Sequence, residues 1–342
     1  MPFDIPAENK QHVNLSKRAW RVIEHDMVAF MGTDGPSLSG FLNRIITNFH
    51  ENSNASINNK LDEEKLRLTD AFSGSAISRQ IDTRDQSIII SIILARYKND
   101  LYEKAISLPK GVGKKFRLNN ENIELLTHED FKESEIYGSL GMYLKVLFED
   151  YARLSYAERE SVYFVSIFET FKDAMNRKKC LAIKLKSGQR MVIRPYRCGI
   201  DLLGLRHYVI GYLKEADRDD SPIAIAYNDI DMIRVYSSAS GFISEAEKSH
   251  LIDIIQSQSP AFFGKEPLLI EAILSEEGLS FFESRLENRP TLIGSQPGNI
   301  YRFSCSEEQA FVYFSSFGTE VEILRPSTLK KRLAQFHRRA AK

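Results

Sequence analysis

Residues 10–15 (KQHVNL) alternate, with Val13 and Leu15 on one face and His12 and Asn14 on the other, the period of a short amphipathic strand. The period then lengthens. Trp20, Ile23, Met27 and Phe30 recur at three- and four-residue spacing, which predicts a helix, and the glycines and proline of GTDGPS (32–37) stop it. SLSGFLNRIITNF (37–49) resumes helical spacing, with Leu38, Phe41, Leu42, Ile45, Ile46 and Phe49 forming a wide apolar stripe. The order is strand, helix, turn, helix.

That order returns further along the chain. KKFRL (114–118) alternates Phe116 and Leu118 with Lys115 and Arg117, and SLGMYLKVLFEDY (139–151) follows SLSGFLNRIITNF almost position for position. Leu15 precedes Ser37 by 22 residues, and Leu118 precedes Ser139 by 21. A unit of this kind resembles the ribbon-helix-helix fold, in which one strand from each of two units pairs, since a lone strand would leave its backbone groups unpaired. Two copies in one chain predict antiparallel pairing of 10–15 with 114–118. In that family outward strand residues enter the major groove of DNA, and the amino terminus of the second helix holds a phosphate. By that mapping His12, Asn14, Lys115 and Arg117 are the candidate DNA readers. The charges run the other way. Residues 10–51 carry five basic and four acidic side chains, residues 114–151 carry five and eight, and Asp130, Glu133 and Glu135 crowd the entry to the last helix. Affinity for a polyanion needs clustered cations, so the module is expected to serve chiefly as a scaffold. Between the copies, residues 60–107 predict two helices joined through SGSAIS, and the run Ile88–Ala95 is expected to be core packing.

The middle of the chain changes character. Residues 163–179 carry Phe164, Ile167, Phe171 and Ala174 on one helical stripe. CLAIKLK (180–186) then alternates, Ser187 and Gly188 turn, and RMVIRPY (190–196) alternates back, which is a hairpin signal. Its inward set is Leu181, Ile183, Leu185, Met191 and Ile193, and its outward set includes Lys184, Lys186, Arg190 and Arg194. RHYVIGYL (206–213) and IAIAYNDIDMIRV (223–235) supply further strands, an order that fits a small, strongly bent barrel. These residues resemble a WYL domain, a bacterial Sm-like barrel. Arg194-Pro195-Tyr196 matches the family's Pro-Tyr step, and His207-Tyr208-Val209 with Gly211-Tyr212 stands where Trp-Tyr-Leu-x-Gly-Tyr would. His207 replaces the tryptophan, and Ala226 and Asp229 occupy places where the family usually carries arginines.

Charge sharpens the picture here. The whole chain of 342 residues is formally neutral, with 46 Lys plus Arg against 46 Asp plus Glu. No global excess advertises a polyanion partner. Yet from Lys172 to Arg206 ten cations meet only Asp173 and Asp201. Interleaved aromatics let bases stack while cations follow phosphates. The candidate nucleic-acid-binding residues are Lys184, Arg190, Arg194, Tyr196, Arg197, Arg206, His207 and Tyr208.

After a connecting helix at 245–257, strand, helix, strand, strand, helix, strand and a last helix from Ser327 follow in a ferredoxin-like order. It resembles the extension that follows WYL domains and commonly dimerises. The expected architecture is α+β multidomain: a tandem ribbon-helix-helix-like module with a helical insert at 1–155 (repeats about 10–51 and 114–151), a WYL domain with its preceding helix at 156–244, and a ferredoxin-like α/β dimerisation domain at 245–342.

Several chemistries find no support. The seven histidines are scattered without an HExxH pair, so no metal is expected. KGVGKK (110–115) fails the phosphate-loop pattern at Leu108 and Lys115, and neither GxSxG nor GxGxxG occurs. Cys180, Cys198 and Cys305 suit a reducing compartment. The start, MPFDIPAENK, has no signal-peptide pattern, and no run reaches bilayer-spanning length. A cytoplasmic, non-catalytic protein without cofactor or membrane association is expected. The combination resembles the WYL accessory proteins of type VI-D CRISPR systems, which implies a homodimer that binds single-stranded RNA and stimulates an RNA-guided effector ribonuclease. The alternative is a ligand-responsive WYL-family transcriptional regulator that binds duplex DNA through the ribbon strands.

Overall fold

Strand β1 (Lys10–Leu15) buries Gln11, Val13 and Leu15 and exposes Lys10, His12 and Asn14, as its alternation requires. Ser16 caps helix α1 (Lys17–Met31) by accepting from Ala19 N, and Ser37 caps α2 (Leu38–Phe49) by accepting from Gly40 N. Helices α3 (Ile57–Ser73) and α4 (Thr83–Ile106) form the insert. The second copy consists of β2 (Val112–Arg117), α5 (Asn120–Thr127), a short α6 (Ser134–Tyr137) and α7 (Leu140–Tyr151), with Ser139 capping α7 as Ser37 caps α2. Helix α8 (Tyr156–Tyr163) opens with a Ser155–Glu158 capping box. This computed structural model describes residues 3, 5, 8–32, 37–53, 55–73, 82–108, 111–129, 131, 133–201, 206–214, 220–257, 259–263 and 267–340. The chain divides into two units, Met1–Val165 and Ser166–Lys342.

Strands β1 and β2 pair antiparallel, with Lys10 opposite Arg117, His12 opposite Lys115 and Leu15 opposite Val112. This is the pairing the repeat predicts, and the register carries a further regularity. Laying Leu15 on Leu118 lays His12 on Lys115, and those two residues face each other across the ribbon. A pseudo-twofold axis therefore passes through that pair. The strand begins two residues earlier than the sequence pattern indicated, because Gly113 offers no side chain to register an alternation.

The first unit is tied together by a buried carboxylate. Asp26 of α1 is fully buried; it accepts from Arg159 Nε of α8 at 2.6 Å and from the Tyr151 hydroxyl at 3.0 Å. Ser16 at the start of α1 donates its N–H and hydroxyl to Glu149 of α7 at 2.5 and 3.0 Å. Each link joins the first copy to the second or to α8. The insert departs from expectation: Ile88 is 49% and Ile92 63% exposed, because consecutive apolar residues on a helix cannot all face one side. Residues 74–78 of SGSAIS, Lys110 and Asp130 lie outside the described residues.

In the second unit, α9 (Val165–Asn176) leads into β3 (Lys179–Leu185), β4 (Arg190–Asp201), β5 (Arg206–Leu213), β6 (Ser221–Ala226) and β7 (Ile230–Ser240). The single strand expected over 223–235 is broken by a 3-10 turn at Tyr227–Asp229. All neighbours are antiparallel, in the order β6-β5-β4-β3-β7. The expected closed barrel is an open sheet among the described residues: the turn carries the chain away from β6, and β7 pairs with β3 instead.

Helix α10 (Glu245–Ser257) precedes β8 (Leu268–Leu274), α11 (Glu276–Ser284), β9 (Thr291–Gln296), β10 (Ile300–Cys305), α12 (Glu307–Phe314), β11 (Val321–Arg325) and α13 (Ser327–Ala340). The sheet order β11-β8-β10-β9 is the ferredoxin-like arrangement of a βαββαβ chain. Its core joins Ile270, Ala272, Leu274 and Phe303 from the strands to Phe282, Tyr313, Phe314 and Leu333 from the helices. Among the described residues no helix is long and apolar enough to cross a membrane.

Candidate nucleic-acid interface

Alternation on β3 sends Leu181 and Ile183 into the core and leaves Ala182 and Lys184 on the opposite face. Register then extends that face sideways. Lys184 stands between Arg190 of β4 and Met232 of β7, Ala182 stands between Val192 and Arg234, and Tyr236 lies opposite Cys180. Lys214, just past β5, donates its backbone N–H to Val192 O. The small side chains in the middle leave a groove of about 610 Å³, lined by Lys184, Arg190, Lys214, Arg234, Met232 and Tyr236 among others.

Its electrostatics are one-sided. Lys184 pairs with Asp231 at 2.5 Å. Arg190, Lys214 and Arg234 are exposed and have no carboxylate partner among the described residues. Tyr236 and Met232 are exposed beside them. Cations along a groove with an aromatic face at one end can follow phosphates and stack a base.

The sequence-predicted residues separate into three groups. Lys184 and Arg190 line the groove. Arg194 leaves it: Nε is 2.6 Å from Asp220, Nη2 is 2.6 Å from Glu247, Nη1 donates to Phe242 O at 2.9 Å, and the guanidinium lies over the Tyr212 ring at 5.2 Å. The Arg194 hydrogen bond, helped by the Ser244 N–H and hydroxyl, lowers the Glu247 pKa to about 2. Arg194 is therefore a latch between the sheet and α10. The remaining residues follow a bulge, where Tyr196 is the extra residue between Pro195, opposite Gly211, and Arg197, opposite Ile210.

Beyond that bulge the stacking role expected of the aromatics is not offered to this face. Tyr208 is 8% exposed and buried with Ile210, Tyr212 and Leu251, and Tyr196 packs against the same cluster. The His207 ring stacks on Tyr227 at 5.5 Å, while Arg197 and Arg206 are exposed but do not line the groove. Sequence reasoning missed Lys214, Met232, Arg234 and Tyr236. The last three alternate at period two, a signal that becomes useful only once β7 is placed beside β3.

The alternative DNA readers do share one face. His12 and Asn14 of β1 and Lys115 and Arg117 of β2 are exposed, and the register adds exposed Lys10, opposite Arg117, which the sequence reading did not include. Two of them are engaged within the ribbon: Asn14 Oδ1 accepts from Gly111 N at 3.2 Å, and the His12 ring lies so close over Gly113 that a Cβ there would meet Nε2 at 2.3 Å. Lys114 points inward, pairs with Glu24 and covers Trp20. Among the described residues no group of three or more His, Cys, Asp or Glu side chains could hold a metal ion.

No protein-family model and no curated protein matches the sequence. The fold is similar to that of a crystal structure described as a CRISPR Cas-related protein, with a TM-score of 0.69 and 23% identity over 100% of this chain and 94% of that one. A second structure, proteasome accessory factor B/C of Arthrobacter aurescens, aligns over 48% of this chain and 25% of its own at a TM-score of 0.22 and 14% identity.

Proposed function

We propose that the chain is a non-catalytic accessory protein of a CRISPR system that binds single-stranded RNA and stimulates an RNA-guided ribonuclease as a homodimer. The observation that carries the reading is the groove across β7, β3 and β4, with three cations that have no carboxylate partner among the described residues and an exposed tyrosine. The CRISPR setting draws on the description of the structure whose fold this chain shares. The five-strand order and the Pro-Tyr and His-Tyr-Val steps support a WYL-type, Sm-like sheet, and the amino-terminal unit supports a ribbon-helix-helix scaffold. This combination resembles the WYL accessory proteins of type VI-D CRISPR systems.

The test is a competition assay at fixed salt among single-stranded RNA, single-stranded DNA and duplex. Single-stranded RNA is expected to win. Each phosphate contact contributes about 0.7 to the salt slope on a single strand, so Arg190→Glu and Arg234→Glu should each weaken binding and flatten that slope. Unchanged binding in both variants would sink the reading.

One observation favours a second reading, a regulator that binds duplex DNA. Lys10, His12, Asn14, Lys115 and Arg117 share the exposed face of a ribbon with pseudo-twofold symmetry, which suits a pseudo-palindromic site. In that case a specific duplex should outcompete single strands, and Lys115→Glu should do more damage than Arg190→Glu.

A further inference from the structure

In the first unit, a cleft of about 590 Å³ opens between α2, the end of β2 with the start of α5, and Tyr163 at the end of α8. Its architecture is fixed from beneath by Asn43, which is buried and fully engaged. The Asn43 amide nitrogen donates to Ser39 O and Arg117 O, both at 2.7 Å, and its oxygen accepts from Asn119 N and Asn122 Nδ2, both at 2.9 Å. These bonds hold Arg117 beside α2.

Two guanidinium groups line the cleft. Tyr163 is sandwiched in a buried aromatic stack, its ring 5.1 Å from that of Phe41 at an interplanar angle of 22°. The Arg44 guanidinium lies over the same ring at 4.6 Å. That contact fixes the group in place while leaving its N–H edge unspent. Neither the Arg44 nor the Arg117 side chain has a hydrogen-bond acceptor among the described residues. Glu121 is the carboxylate in the lining, and Asn48 donates to Val162 O at 2.8 Å, which leaves its oxygen able to accept.

We propose that this cleft binds a ribonucleotide, with its phosphate on Arg44 and Arg117 and its ribose hydroxyls on Glu121 and Asn48. Two unspent guanidinium groups match a phosphate. A bare phosphate would find Glu121 only repulsive, whereas ribose hydroxyls give that carboxylate donors to accept. The site belongs to a different unit from the groove and does not rest on the RNA reading.

The test is calorimetric titration of the full-length chain with 5′-ribonucleoside monophosphates, their 2′-deoxy counterparts and inorganic phosphate. At least one ribonucleotide should bind, its deoxy form more weakly and inorganic phosphate most weakly. Arg117→Ala, an exposed change, should weaken the ribonucleotide about tenfold, and Arg44→Lys should weaken it while the thermal unfolding curve keeps its shape. Glu121→Gln should narrow the difference between ribose and deoxyribose. A 5′-phosphorylated oligoribonucleotide distinguishes sources: tighter binding assigns the site to a strand end, and equal or weaker binding to the free nucleotide. No ribonucleotide binding, equal binding of inorganic phosphate, or affinity unchanged by both arginine variants would overturn the proposal.

Discussion

Arg194 directs its guanidinium into the protein, against two carboxylates, a carbonyl and an aromatic face. Its side chain is only 14% exposed, so removing it strands Asp220 and Glu247 in a partly dry site. Arg194→Ala should cost about 2–4 kcal/mol of stability, measured by denaturant unfolding. The pH dependence has a definite sign. Glu247 ordinarily titrates near 4.5 and here is lowered to about 2. It therefore contributes stability above pH 4.5 that is lost as pH falls towards 2. The acid limb of the stability profile should flatten in Arg194→Ala, and an identical limb in both proteins would exclude this role. At this scale the sequence was half legible. Lys184 and Arg190 could be read as outward from the alternation of one hairpin, but Arg194 sits in the same alternation and differs only because residues 26 and 53 positions later reach it.

Elements were more legible where the chain repeats itself. The β1–β2 pairing followed from two matching units, since each strand needs a partner of its own kind. The place of β7 did not, because it joins β3 across the sheet and not its neighbour in sequence. Nor was the bulge in β4 visible, and it lies beside Pro195, which stands opposite Gly211 of β5. At Gly211 a Cβ would lie 2.1 Å from the Arg194 carbonyl oxygen. Gly211→Ala must push the strands apart, and a loss of about 1–3 kcal/mol in denaturant unfolding is expected. A neutral substitution would mean that the strands are free to separate at that point. Tyr208 and Tyr196 belong to the same lesson: they pack into one cluster with Leu251 of α10 and Phe263, and no alternation within β4 or β5 shows that residues so far along the chain cover that end of the sheet.

For the whole molecule, the ferredoxin-like sheet leaves Leu269, Leu292 and Ile293 exposed on strands β8 and β9. Of these two strands β9 is at the edge of the sheet and β8 is paired on both sides, and apolar side chains on an edge strand suit a second copy of the chain. Light scattering of the full-length protein should report a dimer, and Ile293→Lys should shift it to the monomer without lowering its unfolding midpoint by more than a few degrees. A monomer at every concentration would remove the homodimer from the proposed function.

The axis through His12 and Lys115 has one more consequence. When two identical chains form a ribbon, every substitution appears on both sides of the axis, so the assembly cannot tell left from right. Here the two sides are written separately, and they have diverged: one repeat carries five basic and four acidic residues, the other five and eight. The ribbon face itself is polarised along its length, with Lys10 opposite Arg117 towards one end and Asn14 opposite Gly113 towards the other. Any charged partner lying across it meets a preferred direction, a handedness of approach that a symmetric dimer is forbidden to encode.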